Sequence, residues 1–165
     1  MYMSEIYLIS DPHFGHTNMA LKRGFKSVEE HDEHIVECWN NAISKRDVVW
    51  VLGDITMEKK SPYPILDRLL GTKKVILGNH DRPEDVRELL KYVNSVGSMV
   101  RLKGGLLLTH CPIHTSEIDR FVVNIHGHVH ENTLPDERYI NVSCEAVNYT
   151  PIKLNDLLCR IPHRS

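Results

Sequence analysis

Five short polar motifs, each closing a strand-like run, constrain this chain more than any other feature. They read Asp11-Pro12-His13, Gly53-Asp54, Gly78-Asn79-His80-Asp81, His110 and Gly127-His128-Val129-His130. The runs before them span residues 5–10, 47–52, 73–77, 106–109 and 121–125. Each run has the length and the aliphatic, often β-branched content of a buried strand. A chain punctuated this way presents its polar groups in loops at the C-terminal ends of strands. In open α/β sheets that edge is where ligands bind.

Helical signals separate the first runs. Ser27-Val28-Glu29-Glu30 reads as a capping box, with Ser27 as N-cap and Glu30 reaching back. The helix after it carries Ile35, Trp39, Ala42 and Ile43 on one face. Ser61-Pro62 opens a second predicted helix, whose face of Ile65, Leu66, Leu69 and Leu70 ends at Gly71. Pro83 starts a third, through Val86, Leu89 and Leu90. The first half is therefore β-α-β-α-β-α, the pattern of a parallel sheet. The second half reads differently. Residues 98–102, a Lys103-Gly104-Gly105 turn and residues 106–109 form a predicted hairpin. Further strands fall at 121–125 and 139–142, and a short helix at 154–159.

At 165 residues the expectation is one domain over 1–165. A net charge of -2 provides no basic footprint of a non-specific nucleic-acid binder. The longest apolar runs are far too short to span a bilayer, so no membrane partner is expected. The chain opens directly on a strand-like run rather than a signal peptide, which points to a cytoplasmic protein. The spacing of Cys38, Cys111, Cys144 and Cys159 matches no zinc or disulfide framework, and they are expected to be reduced and mostly buried. His31, His34 and Cys38 share a helical face but lack a fourth ligand for a closed zinc site. Trp39 and Trp50 are expected in the core. His126 is expected to be structural, and Cys111 and His114, which flank His110, receive no chemical role.

Of the eleven histidines, five stand inside the motifs. Asp11, His13, Asp54, Asn79, His110, His128 and His130 supply carboxylate, imidazole and amide donors in the number that two adjacent metal ions need. Any one motif alone is ordinary turn chemistry. Turn chemistry does not account for the histidines that recur in the set. The two carboxylates neutralise only half the charge of two dications, so the centre stays positive and attracts a phosphate anion. Mixed nitrogen and oxygen donors favour Mn, Fe, Zn, Co or Ni over Mg or Ca, with Mn the first expectation.

In this order the blocks D-x-H, G-D, G-N-H-[DE], H and G-H-x-H resemble those of the calcineurin-like metallophosphoesterases, over nearly the whole chain. The tail segments Asn141-Val142-Ser143 and Tyr149-Thr150-Pro151-Ile152-Lys153-Leu154 look like those that follow G-H-x-H in short bacterial and phage members. The opening Asp11-Pro12-His13-Phe14-Gly15-His16-Thr17-Asn18 resembles one small subgroup of predicted phosphohydrolases. Ser143-Cys144 departs from the family, at the floor of the site. The resemblance implies an α/β fold, a four-layer α/β/β/α sandwich with mixed sheets. It implies that Asp11, His13 and His130 hold one metal, Asn79, His110 and His128 the other, and that Asp54 bridges them. The implied activity is hydrolysis of phosphate esters, by in-line attack of a bridging hydroxide assisted by His80. Small phosphodiesters or nucleotides lead the substrates, with nucleic acid also in range. A phosphomonoesterase is the alternative, and a binding or scaffold module is a more distant one.

Asp81 is expected either to orient His80 or, with more weight, to cap the helix at Pro83. His16, Asn18 and Arg82 are the candidates for substrate contact, with Asn18 also a candidate cap for a short helix and Arg120 a further phosphate-binding candidate.

Overall fold

The computed structural model describes residues 4–159. Its strands are β1 (Ile6–Ile9), β2 (Val48–Val51), β3 (Thr72–Ile76), β4 (Ser95–Gly97), β5 (Met99–Leu102), β6 (Leu106–Thr109), β7 (Val123–His126), β8 (Tyr139–Asn141) and β9 (Ile152–Lys153). The helices are α1 (Thr17–Lys22), α2 (Val28–Ala42), α3 (Val86–Leu89) and α4 (Leu154–Leu158). One sheet runs β4-β3-β2-β1-β9, parallel except for β9. The other runs β5-β6-β7-β8.

Consecutive residues of the central strands face opposite cores, which is why these strands read as unbroken apolar runs. Leu8, Trp50, Leu52 and Ile76 point to the second sheet and pack with Leu106, Leu108, Val123 and Ile125. Their neighbours Ile9, Val49, Val51 and Val75 point to the helices and pack with Ile35, Trp39, Leu66 and Leu89. Both tryptophans are buried, as expected. The fold is α/β, with two mixed sheets face to face and helices flanking. The loop between β6 and β7 holds a 3-10 turn, Ile118–Arg120. Asn124 Oδ1 accepts from Ile113 N at 3.0 Å, and Tyr139 Oη donates to Ile113 O at 3.0 Å, anchoring that loop.

Several local expectations need correction. Ser27 caps α2 by accepting from Glu30 N at 3.1 Å, but Glu30 reaches past it and accepts from Lys26 N at 2.6 Å. The segment after Ser61-Pro62 is a 3-10 helix, Tyr63–Arg68, and Pro83–Asp85 is another ahead of α3. The β5–β6 hairpin forms as expected. Beyond it, β6–β7 and β7–β8 are parallel, because long crossover loops join them. The short strands β4 and β9 carry too few residues to show periodicity. The cysteines are free, but Cys111 and Cys159 are exposed and only Cys144 is fully buried.

Asp47 anchors the entry to β2. Its carboxylate accepts from Glu5 N at 3.0 Å and from Ser44 N at 2.8 Å. Burial alone would raise its pKa, but these donors win and hold it below the usual carboxylate value. A carboxylate whose pKa is lower folded than unfolded adds stability above the unfolded pKa, and that stability is lost as pH falls. Asp47→Ala is expected to cost about 2 kcal/mol near neutral pH. Melting curves of both proteins should converge as pH is lowered below about 4.

Candidate metal centre

The loops after β1, β2, β3, β6 and β7 meet at one edge of the two sheets. Backbone bonds join them: Asp11 N donates to Gly53 O at 3.0 Å, His13 N to Asp54 O at 3.0 Å, and Gly127 N to His110 O at 2.9 Å. Two glycines make the approach feasible. A Cβ on Gly78 would strike Asp54 Oδ1, and one on Gly127 would strike Ser10 Oγ and Asp11 Oδ2. Five of the seven candidate ligands, Asp11, His13, Asp54, His128 and His130, hold positive φ between 50° and 70°. Such conformations cost about 1–3 kcal/mol each in non-glycine residues. Strain concentrated on one constellation marks a site kept for what its side chains do.

The donors form two groups that share a carboxylate. Around His110 Nε2 stand Asn79 Oδ1 at 2.9 Å, His128 Nδ1 at 3.2 Å and Asp54 Oδ2 at 3.4 Å. Ligand atoms in a tetrahedral shell with bonds near 2.1 Å lie roughly 3.4 Å apart, so this spacing suits a metal ion. Donor atoms of Asp11, His13 and His130 form the other group, all within 4.8 Å of one another. Asp54 Oδ2 also lies 3.7 Å from His13 Nε2, between the groups. The structure thus brings together all seven residues singled out in the sequence.

Their protonation suits coordination. His110 Nδ1 lies 2.7 Å from Leu52 O, which can only accept, so Nδ1 donates there and Nε2 is the nitrogen turned to the donor group. His130 Nδ1 is held in the same way by Glu145 Oε1 at 3.1 Å. Both ring nitrogens of His13 and Asp11 Oδ1 are buried with no hydrogen-bond partner. Buried orphans of this kind need an explanation, and a metal ion supplies one. Burial drives the His13 pKa down to about 3, keeping the ring neutral. Burial pushes Asp54 toward its neutral acid, but the bond and charge of His110 and the His80 N–H outweigh that and lower its pKa. His110 moves the opposite way, its burial overcome by Asp54.

Asp81 does neither thing expected of it. Its carboxylate bonds to neither the His80 ring nor the turn at Pro83. Its carboxylate accepts from Asp54 N at 2.7 Å, Gly78 N at 2.8 Å and Ile55 N at 3.0 Å, clamping two motif loops together. Burial, with the nearby Asp54 charge, raises its pKa to about 6 against the pull of those three donors. Asp81→Ala strands three N–H groups, two of them buried, and is expected to cost on the order of 3 kcal/mol. Denaturant unfolding should show that loss whether or not activity falls. The carboxylate that pairs with the His80 ring is instead that of Glu58, with Oε1 3.6 Å from His80 Nδ1. The His80 ring stands edge-on to His13, centroids 5.8 Å apart.

The substrate-contact candidates divide. His16 is the N-cap of α1, accepting from Met19 N at 3.2 Å, yet its ring lies 6.2 Å from that of His13, within reach of the centre. Asn18 is exposed and is not the cap. Arg82 is occupied on the surface by Glu84, its Nε 2.7 Å from Oε1, and Arg120 pairs with Glu117. His126 is buried and its Nδ1 lies 2.9 Å from Gly127 O, so it stays structural.

Sequence reading missed three supports. Ser143 Oγ donates to Asp11 Oδ2 at 2.9 Å. Glu145, pushed toward neutrality by burial, is held down to a pKa of about 2 by His130 and Arg23. Arg23 donates to Glu145 at 2.8 Å and to Asp11 O at 2.8 Å. Ser143 stands where the tail departs from the family; Glu145, just after it, and Arg23, at a helix end, carried no signal.

The model of the calcineurin-like phosphoesterase family matches residues 4–156. The chain belongs to this family. Calcineurin-like phosphoesterases are metal-dependent hydrolases of phosphate esters, and the two donor groups are the candidate ligands for that metal. Among relatives, this phosphoesterase is 35% identical to the uncharacterized protein MJ1445 of Methanocaldococcus jannaschii, over 98% of this chain and 93% of that one. It is 33% identical to the gene 66 protein of Mycobacterium phage D29, over 87% of this chain and 89% of that one. Among solved structures, a protein of unknown function, AQ665 from Aquifex aeolicus, superposes with a TM-score of 0.72 at 25% identity, covering 94% of this chain and 98% of that one. No helix of the described residues is long and apolar enough to cross a membrane.

Proposed function

We propose that this phosphoesterase is a dinuclear phosphodiesterase acting on small phosphodiesters or nucleotides. The observation that carries this reading is the shared carboxylate, Asp54 Oδ2, between one donor group around His13 and another around His110. In this reading Asp11, His13 and His130 hold the first metal, Asn79, His110 and His128 the second, and Asp54 serves both. Two divalent ions, Mn by first preference, supply a Lewis acid for the phosphoryl oxygens and an acidified water when bound.

The chain supplies the rest. Glu145 and the Leu52 carbonyl hold His130 and His110 with Nε2 turned to the centre. His80 stands beside His13 with a partly exposed side chain and no hydrogen bond at Nδ1, so it can offer a proton to the leaving oxygen or steady the charge on phosphorus. Asp11, His13, Asp54 and His110 form a buried floor, whereas Asn79 and His128 are exposed. That open rim leaves room for a substituent on either side of phosphorus, which favours diesters over monoesters.

The test is hydrolysis of bis(p-nitrophenyl) phosphate by metal-stripped protein, before and after adding Mn²⁺. Metal-dependent turnover that exceeds turnover of p-nitrophenyl phosphate is expected. Faster hydrolysis of the monoester would reverse the preference. No turnover of either, from folded and metal-loaded protein, would sink the enzymatic reading.

A further inference from the structure

Beside the second donor group stands a thiol that the reading above does not use. The Cys111 sulfur and one ring nitrogen each from His110 and His128 all lie within 4.8 Å of one another. No other cysteine of the described residues belongs to such a group. Cys38 faces His34, its Sγ 3.6 Å from Nε2, Cys144 is fully buried and Cys159 is exposed elsewhere on the chain.

The position of Cys111 is built into the sheet. Its carbonyl accepts from Thr109 Oγ1 at 2.6 Å, and Thr109 Oγ1 accepts from the buried Asn124 Nδ2 at 2.9 Å. Asn124 Oδ1 takes Ile113 N at 3.0 Å, so both ends of the short loop after His110 are tied to β7. Cys111 is also exposed.

We propose that Cys111 Sγ is a ligand of the metal at the second position, and that it turns that position from Mn toward a thiophilic ion such as Zn²⁺ or Co²⁺. The proposal rests on the dinuclear reading above. Thiolate donors select zinc over manganese, whose preference is for oxygen. Coordination replaces the S–H bond with a sulfur–metal bond and releases the proton to solvent. The two positions then differ in kind: the first has only nitrogen and oxygen donors, and the second adds sulfur.

The experiment is titration of metal-stripped protein with Co²⁺, followed by absorption. Bound cobalt shows visible d–d bands, and a thiolate ligand adds an intense near-ultraviolet charge-transfer band. Both are expected in the wild-type protein. Cys111→Ser should keep the d–d bands and lose the sulfur band, and Cys38→Ser should lose neither. In competition, the Zn²⁺ over Mn²⁺ preference of the second position should fall by about tenfold or more in Cys111→Ser, since even outer partners of metal ligands are worth about that much. Independently of any variant, Zn²⁺ loading should slow iodoacetamide modification of Cys111 and leave that of Cys159 unchanged, read by peptide mass spectrometry. Cobalt d–d bands without a sulfur band would overturn Cys111 as a ligand and leave the metal centre standing. Absence of both bands would overturn the metal centre and this ligand together.

Discussion

Asp54→Asn is expected to lower phosphodiester turnover by about a thousandfold or more and to reduce metal content from two ions to one or none. The substitution is nearly isosteric. Its Oδ1 can still accept from His80 N, the bond seen at 2.9 Å, so the loop stays in place. What is lost is charge at Oδ2, the atom 3.4 Å from His110 Nε2 and 3.7 Å from His13 Nε2. In the native protein His110 and the His80 N–H keep Asp54 ionised despite its burial. A neutral amide leaves both donor groups without their shared anion. Metal-centred charge stabilisation is worth several kcal/mol at the transition state, and roughly 4 kcal/mol corresponds to the thousandfold loss. Metal analysis of the dialysed variant, beside its rate with excess Mn²⁺, checks both parts. A variant that keeps two ions and the native rate would remove Asp54 from the centre.

His80→Ala should separate chemistry from metal binding. Its backbone N–H to Asp54 is untouched by the change, and no ring nitrogen of His80 belongs to either donor group. Two bound ions are therefore expected to remain. Loss of a positioned proton donor is expected to cut kcat by about a hundredfold or more. The loss should be largest for substrates with basic leaving groups and smaller for p-nitrophenolate, which needs little protonation. The exposed Glu58 contributes little to this step, since a surface pair of this kind is worth less than about 1 kcal/mol. Equal losses across leaving groups would assign His80 to charge stabilisation on phosphorus rather than to proton transfer. Metal loss in the variant would place His80 among the ligands instead.

The sequence by itself determined which donor groups stand together and the edge of the fold where they lie. Asp11, Asp54 and His110 each end an apolar run, and a strand's C-terminal end is a local property that a few adjacent residues encode. The same runs determined that β1, β2 and β3 are buried on both faces. Local pattern also located α2, because Ser27 caps it and Ile35, Trp39 and Ala42 follow a helical period.

Only the tertiary structure decided which group serves which. Ser143 reaches Asp11 across 132 positions, and His128 N reaches the same carboxylate across 117. No periodicity links residues that far apart. Asp81 and His80 are neighbours in sequence, yet Asp81 turns to the loop of Asp54, because two buried N–H groups there need an acceptor. The parallel course of β6, β7 and β8 was likewise absent from the apolar pattern, which is the same for either strand direction. Direction came from the length of the connecting loops, and pairing from which surfaces those loops brought together.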